Sequence, residues 1–166
     1  MPFLAHMADT ASSGGGHTHA SGEVLRWLGA FHPVVIHFPI ALLLLAAFLE
    51  GIVAWRGPSE KLSFAAGLSL GLGAVAAVIA AGLGWADAAT MSIEPDLKPI
   101  LTWHRWLGTG VAVGSCLAGL LQLRVLPTGR GVWAYRIVLW LVALATAVAG
   151  HLGGTLVYGL DYYPWQ

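Results

Sequence analysis

Beyond its first thirty residues, the chain is built of four long apolar stretches separated by short polar breaks. They run over residues 33–55, 62–86, 99–123 and 133–157. Each reaches the roughly 20 residues that a helix needs to cross bilayer hydrocarbon, so the pattern predicts four membrane-spanning helices. Pro33 and Pro99 fall in first turns, where a missing amide hydrogen costs nothing. Pro39, two residues after His37, should kink or loosen the first helix. Gly67, Gly71, Gly110, Gly114, Ser115 and Gly119 put small residues at spacings that let membrane helices approach closely. The expected fold is all-α, an integral membrane four-helix up-down bundle over residues 31–166 behind a disordered N-terminal tail. Within residues 1–30, the small and polar stretch 1–22 has too little apolar surface to offset the entropy of ordering. Residues 23–30, with Arg26 and Trp27 among leucines, suit an interfacial lead-in.

Composition sharpens this picture. Hydrophobic residues make up 57% of the 166 and charged residues 10%, against roughly 25% charged in a soluble domain, so lipid is the expected surrounding. A net charge of zero offers no basic face for phosphates, which argues against nucleic acid as a partner. The single cysteine, Cys116, lies inside an apolar run; neither an intrachain disulfide nor a CxxCH haem attachment can form. The first thirty residues do not read as a cleaved signal peptide, leaving the first span to direct insertion. Arg56 and Lys61 mark the first connection and Arg124, Arg130 and Arg136 flank the third, whereas the second carries Asp87, Glu94 and Asp96 against Lys98. By the positive-inside rule, the first and third connections are cytoplasmic and both termini periplasmic. Arg105 and Arg26 are the exceptions.

With that orientation, His37, His104 and His151 reach similar depths in the outer leaflet on three different helices, and His32 lies shallower, at the mouth. An imidazole within a bilayer points to function by default. Helices one and three are diagonal in an up-down bundle, and a porphyrin gripped by two imidazoles needs ligand backbones about 12 to 14 Å apart, given Fe–N bonds of about 2 Å. His37 with His104 is therefore the expected axial pair for haem b, with His151 and His32 as a second pair for a second haem or a metal ion, or as substitutes. Gly82, Gly84, Gly108, Gly150, Gly153 and Gly154 free space for a flat cofactor at this level. Arg105 has the forked donors that suit propionates. Trp85, Trp103 and Trp106 surround the same level, where they also suit an interfacial aromatic belt. His17 and His19, on the tail, suit solvated residues better than ligands. Glu50, deep in the opposite half of the first helix, must be protonated, paired or facing a polar cavity.

The run Phe31-His32-Pro33-Val34-Val35-Ile36-His37-Phe38-Pro39, with His104-Arg105-Trp106-Leu107-Gly108 and Gly150-His151-Leu152-Gly153-Gly154-Thr155-Leu156-Val157-Tyr158-Gly159, resembles an uncharacterised family of bacterial four-helix membrane proteins, domain of unknown function 2231. The resemblance spans from about residue 30 to the C-terminus. It implies a bacterial inner-membrane location, association with c-type cytochromes, and a functional role for His32, His37, His104 and His151. The leading expectation is a b-type cytochrome-like electron carrier, working with a c-type cytochrome or a larger electron-transfer complex. A non-catalytic accessory subunit of a respiratory or photosynthetic assembly, with the histidines on a pigment, is one alternative. A copper- or zinc-binding membrane protein is the other. In each case the chain is a carrier or subunit rather than a stand-alone enzyme.

Overall fold

The computed structural model describes residues 16–162, which form helices joined by short connections. The expected tail therefore lies outside the described residues as far as residue 15, and its last part belongs to the first helix, α1 (Gly16–Gly29). A one-turn helix, α2 (His32–Val35), follows and leads into α3 (His37–Arg56). The remaining long helices are α4 (Glu60–Thr90), α5 (Lys98–Thr128) and α6 (Val132–Tyr158). A short 3₁₀ turn, Pro95–Leu97, precedes α5, and another, Leu160–Tyr162, follows α6. Four stretches among the described residues are long and apolar enough to span a bilayer.

The breaks have local causes. Pro39 cannot donate to the carbonyl of Val35 and its ring crowds that carbonyl; the helix parts at Ile36, and the next bond, Ile40 N–H to Ile36 O, is stretched to 3.3 Å. The loosening expected near His37 is thus a seam between α2 and α3. Gly57, at φ +96°, ends α3, and the α5–α6 connection needs two left-handed residues, Gly129 and Gly131, at φ +64° and +81°. Only glycine adopts these freely.

Helices α4 and α5 have 31 residues each, about 46 Å at 1.5 Å per residue, and outrun the apolar stretches that announced them. Hydropathy marks the part of a helix that sits in hydrocarbon, whereas backbone hydrogen bonding continues into polar residues such as Asp87. The overhang of α4 is used. Helix α1 packs along it, and a Cβ at Gly29 would come 2.6 Å from the Cα of Asp87. The expected interfacial lead-in is the second half of this packed helix.

Sequence neighbours are spatial neighbours: α3 lies on α4, α4 on α5, α5 on α6, and α6 closes against α3. The core is narrow and made of small residues, with Leu43, Ala46, Leu70, Ala118 and Leu139 fully buried. Close approach comes from particular glycines. A Cβ at Gly73 would meet the Leu43 side chain at 2.9 Å, and one at Gly114 would meet Val142 at 2.8 Å. Gly71, Gly110 and Gly119, expected to serve the same purpose, face open space. Large apolar residues such as Phe48, Phe64, Val113 and Leu144 point outward, as lipid requires. At the arginine-rich end, buried Glu50 accepts a 2.8 Å bond from Arg136 Nε across the α3–α6 seam, their side chains 6% and 13% exposed. Pairing resolves the alternatives for Glu50.

Candidate functional site

At the opposite end of the bundle, two imidazoles meet. The rings of His32 on α2 and His104 on α5 have centroids 6.2 Å apart and planes crossed at 79°. Each ring is fixed by a partner helix. His32 Nδ1 lies 2.9 Å from the carbonyl oxygen of Ala80 on α4, and His104 Nδ1 lies 2.9 Å from that of Ala149 on α6. A carbonyl oxygen only accepts, so both Nδ1 atoms carry the hydrogen and both Nε2 atoms of the neutral rings keep a lone pair. Imidazoles that bind metals are oriented in the same way, through a bond from the second ring nitrogen.

Glycines make this seating possible. A Cβ at Gly84 would stand 2.8 Å from His32 Cε1, and one at Gly153 would stand 3.1 Å from His104 Cε1. Both glycines lie four residues after the carbonyl that holds the ring. The same device therefore occurs twice. An Ala-x-x-Leu-Gly stretch, residues 80–84 in α4 and 149–153 in α6, offers its first carbonyl and its last, bare Cα to a histidine from the preceding helix of the same hairpin. Gly84→Ala is expected to push the His32 ring off its seat, because the far side of the ring faces His104. The expected result is loss of the hydrogen-bonded Nδ1–H signal of His32 in the ¹⁵N spectrum, with the His104 signal retained. An unchanged His32 signal would count against the seat.

The other candidate residues sit differently. His37 is exposed, and its Nδ1 turns back to the Val34 carbonyl at 3.3 Å. The ring that meets His104 is thus the one from His32. His151 is exposed, and its carbonyl accepts from Thr155 Oγ1 at 3.2 Å. Nor is His32 at the mouth: Ala80, which holds it, lies ten residues before the end of α4, about 15 Å along that helix. Among the described residues, no group of three or more His, Cys, Asp or Glu side chains is placed to share a metal ion.

Arg105, next to His104, lays its guanidinium carbon 3.8 Å from the centroid of the Trp85 ring. Such a stack is favourable in a desolvated setting. Trp85 is held in turn: its Nε1–H donates to Thr109 Oγ1 at 3.0 Å, and it packs edge-on to Trp106 at 5.5 Å. Arg105 Nε is buried with no hydrogen-bond partner. A buried guanidinium N–H with no acceptor is costly.

Four apolar spans arranged up and down, with a pair of facing imidazoles towards one end, define a polytopic helical membrane protein. The chain belongs to the family described as "predicted membrane protein (DUF2231)", whose model matches residues 29–162. No curated protein and no solved structure matches it.

The pairing of His32 with His104 escaped sequence reasoning, but a signal for it was present. Each Ala-x-x-Leu-Gly stretch follows its own histidine at nearly the same distance, 48 and 45 residues to the holding carbonyl, which marks the two histidines as equivalent.

Proposed function

We propose that the protein is a b-type cytochrome-like electron carrier that holds one haem b between His32 and His104. The observation that carries this reading is the 6.2 Å separation of two rings whose Nδ1–H groups are both spent on backbone carbonyls. His32 and His104 would hold the iron through the Nε2 lone pairs that their Nδ1 bonds leave unused. A two-imidazole set suits iron whose other four positions a porphyrin fills, whereas structural zinc draws four ligands from the protein. Copper held by two imidazoles is the metal alternative that keeps this donor set. The unpartnered Arg105 Nε suits a propionate.

In this reading the protein supplies axial ligands, burial and charge pairing that set the potential, while the haem iron supplies the redox step. Arginine-rich connections favour a cytoplasmic location for that end, which turns the histidine end towards the periplasm of a bacterial inner membrane. A single haem at that level cannot carry electrons across the whole bilayer. Exchange with a c-type cytochrome or a larger complex on the periplasmic side is the simplest role. The test is the cofactor content of protein purified from its own membranes. A Soret band, a reduced b-type α band and about one non-covalent haem per chain are expected. A colourless preparation, with or without copper, would overturn the haem reading.

A further inference from the structure

At the end of the bundle away from the histidines, the turn between α5 and α6 forms a hollow of about 550 Å³ floored by Leu121, Val125 and Pro127 and flanked by Arg124 and Arg130. We propose that this hollow is a binding site for an anionic phospholipid, with its phosphate between the two guanidinium groups and an acyl chain along the apolar floor.

Charge is the first argument. No Asp or Glu occurs between Asp96 and Asp161, so the α5–α6 hairpin carries its arginines without any carboxylate of its own within the helices. Arg136 is matched by Glu50 from α3, the one ion pair among the described residues. Arg56 lies against the Trp55 ring, with its guanidinium carbon 5.6 Å from the centroid. Arg124 and Arg130 are exposed beside the hollow, and among the described residues neither forms an ion pair with a carboxylate.

Geometry is the second. The Thr128 hydroxyl donates to the Arg124 carbonyl at 2.7 Å and accepts the Arg130 N–H at 3.1 Å. One side chain thus ties together the backbone segments that bear both cations. Gly129 and Gly131, both left-handed, turn the chain tightly enough to leave the hollow under the end of α5. Polar heads above and leucine and valine below follow the profile of a bilayer surface. Basic pockets between transmembrane helices are established sites for acidic headgroups. A free phosphate would satisfy the arginines but leave the apolar floor uncovered.

The full chain, purified in mild detergent, would be titrated with phosphatidylglycerol or phosphatidylcholine of equal chain length, and bound lipid counted by native mass spectrometry. Phosphatidylglycerol is expected to bind about 25-fold more tightly, at roughly fivefold for each of the two arginines. The variant R124Q/R130Q should lose most of that preference, and R56Q/K61Q, which removes equal charge from the other connection, should keep it. Inorganic phosphate at the same concentration should leave bound phosphatidylglycerol in place. Equal affinity for both lipids, retention of the preference in R124Q/R130Q, or equal losses in both variants would overturn the proposal. Full displacement by inorganic phosphate would also overturn it, because the site would then recognise the phosphate alone. Counting lipid on folded monomer separates these results from any effect of the substitutions on yield.

Discussion

Replacing His104 by alanine is expected, on the proposed haem reading, to lower the haem content of the purified protein at least tenfold, and replacing His32 should do the same. The two rings sit in equivalent seats, each with its Nδ1–H given to a carbonyl of the partner helix in its own hairpin. Neither ring can stand in for the other. His37→Ala is the informative control: that ring is exposed and turned back on its own chain, so haem content and a six-coordinate spectrum should survive its loss. Insertion and folding should persist in all three variants, because the fully buried residues of the core, such as Leu43, Leu70 and Leu139, lie on other turns. Haem loss in His37→Ala together with retention in His32→Ala would transfer the ligand role from one histidine to the other. Retention of six-coordinate haem in His104→Ala would remove both assignments.

The largest loss of stability is expected from breaking the Glu50–Arg136 pair. With both side chains nearly buried, removing one leaves an uncompensated charge in an apolar setting, a change that costs about 3 to 5 kcal/mol. Folding free energies are only about 5 to 15 kcal/mol, so Glu50→Leu or Arg136→Leu should shift the unfolding midpoint in detergent strongly. The double replacement by leucine should recover most of the loss, since an apolar pair of similar volume is often neutral or better. Tyr135, buried beside Glu50 and Arg136, adds a second polar group to the same seam. If Glu50→Leu alone left the midpoint unchanged, the pair would be incidental to stability.

Much of this architecture was legible in the sequence. The four apolar stretches mark the four spans, Pro39 marks the break before α3, and Glu50, an acid at a depth that demands a partner, signals the pair it forms. Which histidine faces the core was not legible, for a geometric reason. Hydropathy and residue counting fix depth along a helix, but the direction of each side chain turns by about 100° per residue. Over five residues His32 and His37 diverge by about 140°, so only one of them can face inward. The break at Ile36 adds a rotation that no pattern announces. Depth is hidden for a related reason. His32 precedes the first apolar stretch, which begins at Pro33, so counting along the chain puts it at the mouth, whereas α4 continues to Thr90 with α1 packed along it, so His32 lies well inside.

The duplicated seat has a consequence for how the molecule is put together. Each hairpin brings one imidazole, one waiting carbonyl and one bare Cα, so either half can orient its own ring before it has met the other. The meeting of the two rings then depends only on the halves closing against each other. Any guest caught between them would act as a rivet across that closure, binding strongly to the joined halves and weakly to either one alone.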